Sequence, residues 1–508
     1  MIFKSALGDY LTRPRRDLRA YKAWSEQKID RRLAKLDPQP VFITTPRHHQ
    51  KICFYLMVKF FYTLPLLDLG LGKTKLVLDA FRWFKAVGKL HRILVAVPNV
   101  VNLEGWRMEI AKHAPDLTAS YLEGDKQQRL EALEEETDLC LATYSGLNHI
   151  ICGRSDGKMQ IDKKKLSKVS KLFDGIVWDE ITQIMNHRSL QYKIATKLSR
   201  DYVFRNGLTG TPFGRKPEVL WPQFFAVDRG TSLGETLGIF RQTFFNESAG
   251  YWGGVERTFK SRMTKDLHRL MAHSSIRYSA DECLDLPPKV MVDRPFVMTD
   301  EQWSYYQAIL DQVKETRGDK LLDVSGIFIR LRQITAGFVS LEGKPSALSE
   351  NPKLDSLMEL IGELPENEKV VVFNEFVWSG NQIEAALKER KIKTARLYSG
   401  TKDKKQELRR FMDDPACRVF VVNSQSGAHG LNLQGGCKFV VMYESPVSPI
   451  VRKQAEGRVW RQGQEQTVFV YDLFAKNTVD QKILRFLAEG KSLFEALVEG
   501  NLSLLERD

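Results

Sequence analysis

Residues Leu66–Leu76 read LLDLGLGKTKL. An apolar run gives way to glycines at 70 and 72, followed at once by Lys73, Thr74 and a segment with helical character. Glycine lets the backbone curl tightly there, so that the N–H groups of Leu69, Gly70, Leu71 and Gly72 can point at one anion. The helix that follows sets its positive end under the same point. Lys73 can reach the β- and γ-phosphates of a nucleoside triphosphate, and the Thr74 hydroxyl can ligate Mg2+. The usual phosphate-loop pattern begins with a glycine at position 67, where this chain carries leucine. The alternation of short apolar strands with helices around this loop predicts an α/β fold.

The same alternation extends outward from this loop. From about 41 to 225, HRILVAVP (91–98), DLCLATY (138–144), FDGIVWDE (173–180) and YVFRNGLTGTP (202–212) each read as a buried parallel strand ending in a functional loop. A second series follows over 351–508, with KVVVFNEF (369–376), TARLYSG (394–400), CRVFVVNS (417–424), CKFVVMYE (437–444) and TVFVYDLF (467–474). Strands alternating with helices predict doubly wound parallel sheets, with ligand sites at the carboxyl ends of the strands. Residues 226–350 lose the alternation and are expected to form a mainly helical insertion and linker. Residues 1–40 read as a charged helical extension, and TVDQKILRFLAEGKSLFEALVEG (478–500) as a closing amphipathic helix.

Composition narrows the partner. The chain has 508 residues, too many for one ordinary core, with 76 Lys and Arg against 63 Asp and Glu, a formal net charge of +13. That excess suits a polyanion such as nucleic acid or an anionic membrane surface, although solubility alone accounts for it equally well. The most apolar stretch, from Ile52 to Leu67, is interrupted by Lys59 and Pro65 and is too short to span a bilayer. The opening MIFKSALGDYLTRPRRDLRAYK has no signal-peptide pattern. Six scattered cysteines without a C-x-x-C pair disfavour a zinc site and fit free thiols in a reducing cytoplasm.

A second chemical signal lies at Trp178-Asp179-Glu180, where an apolar strand ends in two carboxylates. Asp179 can hold Mg2+ through water, and Glu180 can orient and polarise an attacking water. An acidic pair at a strand end is common on solvated loops. The order of Lys73, then Asp179-Glu180, then LTGTP (208–212) argues for chemistry instead.

With these residues in place, the chain resembles superfamily-two helicases of the Swi/Snf-type DNA-dependent ATPase branch over nearly everything beyond residue 45. DLGLGKT resembles motif I, ILVAVPNVVNLEGW motif Ia, VWDEIT motif II and LTGTP motif III. KVVVFNEF resembles motif IV, SQSGAHGLNL (424–433) motif V and QAEGRVWRQGQ (454–464) motif VI. IRYSADECLDLPPK (276–289), LRQITAGF (331–338) and TVDQKIL are similarly typical of the branch. The resemblance implies two RecA-like lobes and hydrolysis of ATP with Mg2+. It places Gln50 on the adenine, Gln462 beside the nucleotide, Arg458 and Arg461 on the transferring phosphate, and Thr209 and Thr211 between hydrolysis and lobe motion. It sets nucleic-acid contacts at Pro98, Asn99, Trp106, Thr143, Tyr144, Asn423, Ser424, Gly430 and Asn432. Lys73, Asp179, Glu180, Arg458 and Arg461 would then share catalysis.

Two departures stand out. Leu67-Asp68 replaces the branch's usual Asp-Glu, and Ile181-Thr182 replaces its Ala-His, which puts the standard coupling contact between motifs II and III in doubt. The compact length resembles phage or prokaryotic members, implying a monomer in the cytoplasm (the host's, for a phage protein). The leading expectation is a translocase on double-stranded or branched DNA. A strand-separating DNA or RNA helicase and a nucleotide-switched loading protein with little turnover are the alternatives. The basic stretch KMQIDKKKLSKVSK (158–171) is readable either as a duplex contact or as a solvated helix face.

Overall fold

The computed structural model describes residues 10–155, 158–210, 217–249, 255–315, 324–341, 343–398, 400–401, 403–424, 433–493 and 504. It divides into two compact units, Met1–Leu284 and Asp285–Asp508.

The first unit is built on seven strands: β1 (Tyr62–Leu67), β2 (Ile93–Val97), β3 (Ala119–Tyr121), β4 (Leu139–Thr143), β5 (Gly175–Asp179), β6 (Phe204–Leu208) and β7 (Ser275–Tyr278). Their order across the sheet is β7-β1-β6-β5-β2-β4-β3, and every neighbouring pair is parallel. Runs such as ILVAV are buried at every position because helices cover both faces. Alternate residues feed two cores: Leu94 and Ala96 join one, and Ile93, Val95 and Val97 the other.

The apolar stretch around Pro65 resolves into two elements. Helix His48–Phe60 ends at Phe61, whose φ of 62° reverses the chain, and β1 begins at Tyr62. Pro65 thus sits in an interior strand, where its missing N–H would ordinarily break a ladder. β1 meets β6 only at Tyr62 and Thr63, and again through a bridge between Leu66 and Thr209. In the gap the Asn206 side chain accepts from both the Thr63 amide (3.0 Å) and the Thr63 hydroxyl (2.8 Å).

The second unit repeats the plan with β8 (Lys289–Phe296), β9 (Val370–Asn374), β10 (Lys393–Leu397), β11 (Cys417–Asn423), β12 (Phe439–Met442) and β13 (Val468–Ala475). The order is β8-β13-β12-β9-β11-β10, again wholly parallel. The expectation of two doubly wound α/β lobes therefore holds.

The boundary between the two units falls inside the stretch read as a helical insertion and linker, and the described residues of 226–350 are shared between the units. Ser275–Tyr278 is an edge strand of the first sheet, and Lys289–Phe296 an edge strand of the second, so the chain divides at 284/285. Residues from 10 onward in the N-terminal extension are likewise part of the first unit. Leu18, Ile29 and Leu33 enter its core, while the Arg15 and Arg16 guanidinium groups donate to the carbonyls of Thr231 (2.9 Å) and His273 (2.6 Å).

Within the second unit a buried ion pair joins separate segments. Lys353, 1% exposed, donates to Asp480 (2.8 Å), which also accepts from the Thr335 hydroxyl (3.0 Å). Removing one partner of such a pair strands the other charge in a dry site. We expect Asp480→Ala to destabilise this unit by about 3–5 kcal/mol, read as loss of hydrogen-exchange protection in β9; unchanged protection would mean that Lys353 finds water instead.

Candidate active site

The glycine loop sits where β1 delivers the chain to helix Lys73–Ala86. Gly70 and Gly72 have φ of 80° and 75°, values open to glycine at little cost. The loop is held from behind by helix His48–Phe60. His49 Nε2 and Gln50 Nε2 lie 3.0 and 3.1 Å from the Leu71 carbonyl, and Gln50 Oε1 accepts from the Arg47 amide (2.9 Å). A Cβ on Gly72 would come within 2.2 Å of Gln50 Nε2. Lys73 Nζ donates to the carbonyls of Leu67 (2.9 Å) and Asp68 (3.3 Å).

Asp179 closes β5, three strands into the sheet from its β7 edge. Its Oδ2 accepts from the Trp106 indole N–H at 2.9 Å, and its carbonyl accepts from the Tyr144 hydroxyl at 3.0 Å. Burial raises the Asp179 carboxyl above its ordinary range, and the neighbouring Glu180 charge adds to this, while the Trp106 bond and Lys73 favour the ionised form. Glu180 has φ of 50°, a left-handed conformation unusual outside glycine and typical of strained functional positions. Its Oε1 accepts from two hydroxyls, Thr182 at 2.7 Å and Thr209 at 2.9 Å. Positive-φ glycines at a helix start, a lysine, the Thr74 hydroxyl and two carboxylates form a donor set that fits a triphosphate with a hard divalent cation.

In the second unit, helix Pro449–Glu456 leads into the arginine segment. Arg452 is buried and pairs with Asp472 (Nη2 to Oδ2, 2.8 Å) and Glu456, which also accepts from Lys289 at 2.6 Å. Burial pushes the Glu456 carboxyl up, but Arg452 and Lys289 together leave it below the usual carboxylate range. The Arg458 carbonyl accepts from Leu433 N (3.0 Å) and the Arg461 carbonyl from Gln464 N (3.0 Å), fixing the turn on which both arginines stand. Arg458 is buried and Arg461 half-buried.

Residues 66–352 match the SNF2-related domain, and residues 352–463 the helicase conserved C-terminal domain. The chain belongs to the SNF2-related family. It is similar to YwqA of Bacillus subtilis, 25% identical over 455 residues covering 85% of this chain and 46% of YwqA. It is also similar to ISW1 of Saccharomyces cerevisiae, the ATPase of an ISWI chromatin-remodeling complex, 24% identical over 87% of this chain and 39% of ISW1. An uncharacterized ATP-dependent helicase of Mycoplasma genitalium, MG018, is 26% identical over 85% of this chain and 40% of its own length. The chain thus spans less than half the length of these relatives. Among solved structures, the SWI2/SNF2 ATPase core of Sulfolobus solfataricus in complex with dsDNA shares 22% identity, with 92% and 98% of the two chains covered and a TM-score of 0.40.

The first-unit residues read as nucleotide ligands lie together: the loop, Lys73 and Thr74 at one helix start, Asp179 and Glu180 at a strand end nearby, and Thr209 bonded to Glu180. Several other residues stand differently. Gln50 is buried, with its amide engaged on the glycine loop and the Arg47 backbone rather than presented outward. Trp106 and Tyr144 are 2% and 5% exposed and aim at Asp179, and Ser424 is fully buried beneath the Asn374 carbonyl. None of these three offers a surface to nucleic acid. Pro98 and Asn99 remain partly exposed, Asn99 capping helix Val100–His113; Thr143 caps helix Tyr144–Ile151; and Asn423 donates to the Glu375 carbonyl (3.0 Å). Gln462 is exposed. Thr211, Gly430 and Asn432 lie outside the described residues.

Thr182 and His49 are the residues that sequence reasoning missed. Thr182 was visible only as a departure from the family pattern; the structure shows that a hydroxyl stands in place of the usual histidine and donates to Glu180. His49 carries no sequence signal beyond adjacency to Gln50. Because Gly72 combines a positive φ with contact to Gln50, we expect Gly72→Ala to weaken ATP binding at least ~10-fold, since a Cβ there is both strained and crowded. Isothermal titration measures this, and wild-type affinity would show that the loop can shift freely.

Proposed function

We propose that this chain is a DNA-dependent ATPase that translocates on double-stranded or branched DNA. The observation that carries the reading is Glu180, fixed by Thr182 and Thr209 at a strand end next to the glycine loop. A nucleotide switch has no need of so fixed a carboxylate, whereas hydrolysis needs one to orient water. The names of the relatives, an ATP-dependent helicase and a chromatin-remodeling ATPase, support the same reading.

In this mechanism ATP is the substrate, held through its phosphates by the loop amides and Lys73. Thr74 and Asp179 would hold Mg2+, which offsets charge on the phosphate oxygens. Glu180 takes up the proton side of the attacking water. Arg458 and Arg461, on the second unit, stabilise charge on the transferring phosphoryl group. Because the resemblance assigns residues of both units to one reaction, turnover would couple to lobe motion, by which a nucleic-acid backbone is drawn along. Thr209 follows directly on β6, so its bond to Glu180 links the water-orienting group to the loop that leaves that strand.

Phosphate release measured with single-stranded, duplex, forked and RNA ligands tests the track. Duplex stimulation with triplex displacement is expected; unwinding without triplex displacement would favour strand separation, and no stimulation by any ligand would overturn the reading. Lys73→Ala should abolish turnover, and Glu180→Gln should retain bound ATP without hydrolysing it. Arg461→Ala should keep ATP binding while turnover falls by about 10³–10⁵; wild-type turnover would remove it from the reaction. Duplex affinity should fall steeply with salt if phosphates supply the contacts.

A further inference from the structure

Two residues that the family resemblance assigns to the track point inward instead, and both touch Asp179. Trp106 lies two turns into helix Val100–His113, which starts at Asn99 where β2 ends. Tyr144 is the first residue of helix Tyr144–Ile151, which starts at Thr143 where β4 ends. In the sheet β5, β2 and β4 are consecutive neighbours, so both helices open beside the strand end that carries Asp179. The openings stay accessible, with Val100 56% exposed and Asn99 and Thr143 partly so. Behind them, Trp106 donates to Oδ2 of the Asp179 carboxylate, and Tyr144 donates to the Asp179 carbonyl. Tyr144 is also stacked on Trp178, with ring centroids 6.0 Å apart and planes 19° from parallel. The strand end is therefore held on its side chain, its backbone and its preceding ring by groups from the two track-facing helices.

We propose that Trp106 and Tyr144 are positioning residues that tie the track-facing edge of the first sheet to the Mg2+-holding carboxylate. The inference rests on the function proposed above and adds to it a route by which the track governs hydrolysis. A contact that shifts either helix start by a fraction of an ångström moves the donor on Asp179, because helix and ring are packed as rigid bodies. An outer hydrogen bond of this kind sets the orientation and basicity of a metal-binding carboxylate. Duplex engaged at Asn99 and Thr143 thereby sets the geometry in which Asp179 holds its cation.

The test separates the N–H from the ring. Replacing Trp106 with β-(3-benzothienyl)alanine keeps the bicyclic shape and puts sulfur where the donor was; Trp106→Phe and Tyr144→Phe are simpler companions. Mn2+ binding in the presence of a non-hydrolysable ATP analogue, followed by electron paramagnetic resonance, should weaken about 10-fold in the isosteric variant. Stimulation of phosphate release by duplex should drop in parallel while duplex affinity stays unchanged. A purely structural role would lower thermal stability and duplex affinity for Trp106→Phe and leave the isostere like wild type, and that result would overturn the proposal. Wild-type Mn2+ affinity in the isostere would do the same. If wild-type enzyme shows no stimulation by any nucleic acid, the translocase reading fails, and the Mn2+ measurement still decides whether Trp106 positions Asp179.

Discussion

A carboxylate at the buried end of an interior strand is costly unless its surroundings compensate it. Asp179 is such a group, and much of the first unit's detail follows from holding it. Its oxygen takes a hydrogen bond from an indole, its carbonyl takes one from a phenol, and Lys73 is among the charges that favour its ionised form. The next residue bends into a left-handed conformation that turns Glu180 away from the strand, where two threonines receive it. The two threonine hydroxyls hold Glu180 in that conformation.

The glycine loop is subject to a complementary constraint. It must present N–H groups outward, so its carbonyls point back and need donors of their own. Leu71 finds His49 and Gln50, and Leu67 and Asp68 find Lys73. Helix His48–Phe60 is in turn packed against Leu18, Ile29 and Leu33, so the N-terminal segment helps fix the helix that backs the loop. The charged extension read from the sequence is thus part of the glycine loop's support.

Much of this was legible in the sequence because parallel strands buried on both faces are written as short unbroken apolar runs. ILVAV, LCLAT and GIVWD needed no further context. β1 was hidden because its residues run on without a break from an apolar helix, and because proline argues against an interior strand; Pro65 falls where the pairing of β1 with β6 is interrupted, between Thr63 and Leu66. Ser275–Tyr278 was hidden because four residues at a sheet edge carry no periodicity to detect. That one omission moved the domain boundary by some sixty residues, since an edge strand recruits everything between it and the sheet.

The clustering of the candidate nucleotide residues was legible because loop chemistry at strand ends depends on residue type and order. The track residues were not, because motif membership gives a position along the chain and leaves side-chain direction to the packing. Trp106 and Ser424 show the difference. Both sit in segments that resemble nucleic-acid contacts, and both turn into the core, one to serve a carboxylate and the other a backbone carbonyl. An indole two turns into a helix is long enough to reach the neighbouring strand's end, which a serine is not. The surface segments that open at Asn99 and Thr143 and the buried groups beneath them therefore have different tasks, and a residue from the same motif can belong to either according to which way it points.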